Sequence, residues 1–303
     1  MGFKRFVVDL APGPLVKIFA RPYVAGDSIE AAVACARSFW DERRVCSTID
    51  LLGEELESDA EVQYTVDVYL RLIAALGRQP FATVSLKPTQ LGSHRGGKHA
   101  EQIIDGIVQA AAAHDIGVTI DMEDHTVTDL TLEMYRNLRP RYAILGTVLQ
   151  SRLFRNRDDI LSLKGLQARV RICIGIYNEP ASIALTDKNE MKKQLLKDVE
   201  LLFGEGHHPE IATHEEWVVH EAINIAERMN MGRDRYEVQM LMGVPRQALQ
   251  DELVRNGVTV RLYVPFAEQW KYAVSYCKRR LAANPMMAAY VMKNMVQSVT
   301  GKK

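Results

Sequence analysis

Cysteine is scarce in this 303-residue chain: Cys35, Cys46, Cys173 and Cys277 are the only four. Their wide spacing offers no CxxC pair and no Cys/His zinc pattern, which excludes a disulfide scaffold and a structural zinc finger. Such thiols fit a reducing cytoplasm. No apolar run reaches the roughly 20 residues that span a bilayer, and the opening MGFKRFVVDLAPGPL breaks its short apolar stretch with proline and glycine, unlike a secretory leader. Charge of one sign is missing too: 38 basic residues balance 38 acidic ones. That excludes a broad nucleic-acid surface, which needs an excess of lysine and arginine. Linkers, low-complexity tracts and fixed-period repeats are also absent. There is no GxSxG, no cysteine beside a histidine, and no Gly-rich dinucleotide fingerprint after the first strand-like run.

What the chain does have is 47 % hydrophobic residues, enough for a full core, and two alternating periods. Eight short runs rich in β-branched residues occupy 45–53, 81–92, 117–124, 142–150, 170–180, 210–216, 236–244 and 259–266. Most are apolar along nearly their whole length, as strands buried on both faces of a parallel sheet are. Helix-like periodicity fills 56–77, 97–114, 127–138, 187–203, 215–230, 246–256 and 267–283, with Asp59 as a candidate cap for the first; 151–169 is less regular. Eight βα units predict a single α/β domain, a (β/α)8 TIM-type barrel over 45–285, with a doubly wound open sheet as the competing architecture. Residues 1–44 read as a partly helical lead-in. Residues 286–303 read as a helical tail, apolar and ending basic, suited to packing on the barrel or to peripheral contact at the inner membrane surface.

Active sites of such barrels form at the C-terminal ends of the strands. In chain order those ends carry Asp50 and Glu54; Lys87; Asp121, Glu123 and Asp124; Gln150; Arg171 and Tyr177; Thr213, His214 and Glu215; Gln239 and Leu241; and Tyr263. The last run, TVRLYVPF, leads into a helix bearing Arg279 and Arg280. Paired guanidinium forks suit a small carboxylate. Cations without a nucleophile–base pair suit a cofactor that supplies the chemistry itself. His214 and Asp121 alone make no metal site. Asp124 reads as a helix cap, His114-Asp115-Ile116-Gly117 as a turn, GSHRGGKH (92–99) as a lid or plain loop, and His207 and His208 as solvated turn residues.

Taken in order, TIDLLGEE, VSLKPTQLG, VTIDMED, IATHEE, YEVQMLMG and VRLYVPF with RRLAANP resemble the proline dehydrogenase family across about 240 residues. The resemblance implies a monofunctional, distorted (β/α)8 TIM-type barrel holding FAD without covalent attachment. It implies oxidation of L-proline to Δ1-pyrroline-5-carboxylate, hydride transfer to the flavin N5, and a quinone as electron acceptor. Lys87, Arg279 and Arg280 match the family's carboxylate anchors. Tyr177, Leu241 and Tyr263 match the pocket walls, and Asp121 an acidic position beside the ring-facing tyrosine. Arg171 matches the arginine near N5. Gln150, Gln239 and Gly175 match partners of the flavin ring, Thr213, His214 and Glu215 the ribityl–adenosine loop, and Lys188 a contact to adenosine or phosphates. Ile174, Asn178, Ala267 and Ala283 depart from the family's pattern. The departures keep two rivals in play: an oxidase of a modified proline or related imino acid, and a flavin-binding homologue without turnover.

Overall fold

A computed structural model describes residues 22–53, 56, 58–269, 271–274, 276 and 277. Its eight strands are β1 (Cys46–Leu51), β2 (Ala82–Leu86), β3 (Gly117–Ile120), β4 (Leu145–Gln150), β5 (Arg169–Cys173), β6 (His208–Ala212), β7 (Glu237–Leu241) and β8 (Thr259–Phe266). Each pairs in parallel with the next, and β8 closes on β1 with Tyr263 opposite Thr48. The helices are α1 (Ile29–Arg43), α2 (Asp59–Leu76), α3 (Gly97–Ala112), α4 (Thr128–Leu138), α5 (Asn156–Ser162), α6 (Lys188–Gly204), α7 (Glu216–Arg228) and α8 (Gln247–Arg255). The (β/α)8 barrel expected from the sequence is therefore the fold.

The strands are sorted by period two. Ile49, Val84, Val118, Val170, Ile211, Val238, Val260 and Val264 are almost fully buried and join one hydrophobic cluster with the helices. Many of the alternate positions are polar, among them Thr48, Asp50, Thr83, Ser85, Thr119, Arg171, Glu210, Glu237, Gln239 and Arg261. Asp121 at the end of β3 bonds Arg171 on β5, and Arg171 in turn bonds Gln239 on β7. Bonds that skip a strand require these side chains to point into the barrel. The interior is thus ionic where the sequence suggested nearly continuous apolar runs. At its lower level Arg261 grips Glu237 with two bonds of 2.7 and 3.0 Å, and Arg169 pairs with Glu210 at 2.5 Å. Burial would raise the Glu237 carboxyl, but Arg261 outweighs burial and holds it at about 2.

Other boundaries shift for local reasons. The run 81–92 is a strand only to Leu86, because Pro88 has no N–H for a ladder and opens a 3-10 turn, Pro88–Gln90. The cap of α2 is Ser58, whose hydroxyl accepts from the Glu61 N–H, so Asp59 is instead the first helical residue. Asp124 does cap the turn that follows it, and 113–115 is a turn. The expectation of solvated histidines is overturned. His207 is fully buried and accepts the Ala168 N–H on Nδ1, and burial lowers the pKa of both His207 and His208. The loop 92–99 is braced by His94 and Arg95 on Asp59.

Candidate active site

Lys87 emerges one residue past β2, where Pro88 forces the chain away from the sheet. Its ammonium meets Asp50 at the end of β1, the Tyr263 hydroxyl at 3.3 Å and Asp121 at 3.4 Å. Tyr263 donates to Asp121 Oδ2 at 2.7 Å. Asp121 Oδ1 accepts from Ser85 and from Arg171 Nη1, each at 2.6 Å. Arg171 stacks its guanidinium 5.1 Å from the Tyr263 ring and donates Nε to Gln239 at 2.6 Å. Strands β1, β2, β3, β5, β7 and β8 thus contribute to one connected cluster at the barrel mouth.

The charges in this cluster are fixed by their neighbours. Burial works against the Lys87 ammonium, but Asp50, Tyr263 and Asp121 outweigh it and raise its pKa well above the ordinary lysine value. Burial also opposes the Asp121 carboxylate, yet Arg171 and Lys87 hold its pKa low. Asp50 goes the other way, raised chiefly by burial. Burial, then Asp121 and Asp50, push the Tyr263 phenol well up. These shifts favour a cationic Lys87, a neutral Tyr263 phenol and an ionised Asp121 carboxylate, side by side.

Among the cofactor candidates, Gln150 is buried at the end of β4 and donates Nε2 to the Glu123 carbonyl at 2.7 Å. Its Oε1, and Nη2 of Arg171, are buried without a hydrogen-bond partner among the described residues. Gly175 stands beside Gln150 at φ +88°, where a Cβ would collide with Gln150 Oε1. Buried orphan donors and acceptors are costly unless something bonds them. An acceptor facing Arg171 and a donor facing Gln150 are what the heteroatom edge of a flavin ring offers, so the residues fit that group. Both hydrogens of the Gln239 amide are taken by Glu210 and Glu237, so it reaches outward only through Arg171.

Around the rim, Leu241 is half-buried at the end of β7, and its N–H donates to His214 Nε2 at 2.9 Å. Thr213 Oγ1 accepts from Glu215 N–H, and Glu215 pairs with Lys192 at 3.2 Å. Lys188 is exposed at the start of α6. Tyr177 is half-buried, and its carbonyl accepts from Arg152. Arg279, Arg280, Glu54 and Ala283 lie outside the described residues. Of the departures, Ile174 packs against the main core, Ala267 is fully buried and Asn178 is exposed.

Two members of the cluster were not among the expected site residues. Asp50 was visible at a strand end, but nothing local pairs it with a lysine 37 positions away. Ser85 had a usable signal: it lies two residues before Lys87, on the same face of the strand.

A closed parallel barrel whose strand ends gather one ionic cluster has the build of a (β/α)8 barrel enzyme. The proline dehydrogenase family model matches residues 36–176 and 180–292, and the chain belongs to that family. It is an oxidoreductase acting on a CH–NH group, of a flavin-dependent family. Proline dehydrogenase 1 of Bacillus subtilis is 32 % identical over 282 residues, covering 93 % of this chain and 92 % of that protein. Proline dehydrogenase of Deinococcus radiodurans is 32 % identical over 315 residues, covering 97 % and 98 %. Among solved structures, proline utilization A from Bdellovibrio bacteriovorus superposes with a TM-score of 0.79 at 22 % identity. That match covers 87 % of this chain but only 32 % of the longer protein, and it speaks to the fold. Among the described residues no helix is long and apolar enough to cross a membrane, and no His/Cys/Asp/Glu group could hold a metal ion.

Proposed function

We propose that this chain oxidises L-proline to Δ1-pyrroline-5-carboxylate using non-covalently bound FAD, with a quinone taking up the electrons. The observation that carries the reading is the mouth cluster. A lysine kept cationic by Asp50 and Asp121 is joined through Asp121 to Arg171, and Arg171 and Gln150 each keep one buried polar atom without a partner among the described residues.

Lys87, with Arg279 and Arg280, would hold the substrate carboxylate, each cation adding a charge-assisted bond worth about 1.5–3 kcal/mol. Tyr263, anchored by Asp121, would stand against the ring as a fixed wall, and Tyr177 and Leu241 would close the other sides. Arg171, Gln150 and Gly175 would hold the flavin ring, with Gln239 acting through Arg171, and Thr213, His214, Glu215 and Lys188 would hold the ribityl and adenosine groups. The bound flavin supplies the hydride acceptor at N5. The Arg171 cation favours negative charge developing on the ring during reduction. Lys87 cannot act as the base for the substrate ammonium, since its own carboxylate neighbours keep it protonated. A quinone acceptor would bring the protein to a membrane surface, which the basic, apolar segment 286–303 suits.

Heat-denaturing the yellow holoprotein and identifying the released cofactor by mass tests the FAD assignment. Release of FMN, or no release, contradicts it. Reduction of a short-chain quinone in the presence of L-proline tests the acceptor, and reoxidation by oxygen alone contradicts it.

A further inference from the structure

The loop after β5 carries two proposed site residues, Gly175 and Tyr177, yet it has little packing of its own: Ile176 and Asn178 are exposed. Two residues beyond Tyr177 the chain turns inward and buries Glu179, whose side chain is 1 % exposed. Both carboxylate oxygens go to a different loop. Oε1 accepts the His125 backbone N–H at 3.1 Å, and Oε2 faces His125 Nδ1 at 2.6 Å. His125 opens the 3-10 turn after β3, four residues past Asp121. A buried carboxylate stripped of its partners is strongly unfavourable, so this contact ties the two loops firmly together.

The tie is one link in a belt. Glu123 receives the Thr89 hydroxyl at 2.7 Å and its N–H at 3.2 Å, which joins the loops after β2 and β3. The Gln150 amide reaches the Glu123 carbonyl and joins β4. Arg152 donates to the Tyr177 carbonyl and to the Leu185 carbonyl. Removing Glu179 would cut this loop's tie to the loop after β3, while the Arg152 bonds to the β4 side stay in place.

We propose that Glu179 is a positioning residue that, through His125, fixes the separation between the Tyr177 wall and the Lys87–Asp121 cluster and so sets the width of the ring pocket. The inference rests on the reading of Tyr177 as a pocket wall. The wall contacts the ring equally before and during the reaction, so loosening it weakens binding more than turnover.

The test uses flavin-loaded Glu179→Ala and His125→Ala proteins. The latter keeps the backbone bond and removes only the ring contact. For Glu179→Ala the expected result is a rise of about tenfold in KM for L-proline with kcat within about threefold. Calorimetric affinity for cyclopentanecarboxylate, which has the ring and the carboxylate but no oxidisable amine, should fall in parallel. His125→Ala should show a smaller effect in the same direction, and Glu179→Gln, which keeps the acceptor for the N–H, should recover most of the affinity. Unchanged KM and unchanged cyclopentanecarboxylate binding in Glu179→Ala would overturn the inference. So would equal losses in kcat and affinity that Glu179→Gln does not rescue. If Glu179→Ala does not fold, His125→Ala decides: a KM at the wild-type value overturns the proposal and a raised one supports it. Wild-type protein that binds cyclopentanecarboxylate but does not oxidise L-proline would instead refute the proposed function.

Discussion

Lys87 is locked as a cation by Asp50 and Asp121, and that decides its role as an anchor for a carboxylate. Lys87→Met should leave the fold intact and lower kcat/KM for L-proline by roughly 10- to 100-fold, the worth of one charge-assisted bond, which steady-state kinetics would read directly. Gly175 is constrained twice, by φ +88° and by the Gln150 oxygen where a Cβ would sit. Gly175→Ala should therefore lose flavin on gel filtration; full retention, measured as the ratio of visible to ultraviolet absorbance, would contradict the placement. The residue types at the strand ends were readable from the sequence, because a barrel puts its site there. Their pairings were not. Asp121 and Arg171 lie 50 positions apart, and Asp121 and Tyr263 lie 142 apart, so only closure of the barrel brings them into one network.

Elements were legible where side-chain chemistry acts locally and blurred where it does not. β-branched runs marked all eight strand centres, but several predicted strands overran into turns, as at Pro88. The segment 151–169, read as less regular but long enough for a helix, does hold one, the short α5, whose Asn156 reaches across to α6. There Asp198 is almost fully buried and accepts from Asn156 at 2.7 Å and Gln194 at 2.9 Å. Burial raises its pKa from 3.8 to about 6 despite those donors. A raised carboxyl contributes stability below its unfolded pKa and loses it as pH climbs through the folded value. Asp198→Asn removes that loss. Its unfolding free energy relative to wild type should therefore improve by up to about 3 kcal/mol between about pH 4 and about pH 8. A pH-independent difference in chemical denaturation would contradict this.

At the scale of the whole molecule, the barrel is filled by ion pairs rather than by stacked aliphatic layers. Glu237 and Arg261 close its lower end, and the Asp121 cluster its mouth. Because Arg261 holds Glu237 at about 2, the pair contributes stability above the unfolded value of 4.5, and that contribution drains away as pH falls from there toward about 2. Glu237→Gln should cost about 3–5 kcal/mol near neutral pH, since it strands a buried guanidinium, and should flatten the acid limb of the stability curve. An unchanged midpoint in urea would refute that. Binary patterning could not announce this interior, because alternating polar positions in a strand look the same whether they face water or one another. The central claim, that the mouth cluster and a bound flavin together oxidise proline, is tested most directly by recording the visible spectrum of the purified protein while L-proline is added without oxygen. Bleaching of the oxidised flavin bands is the predicted result. Bands that persist at saturating L-proline would contradict the account.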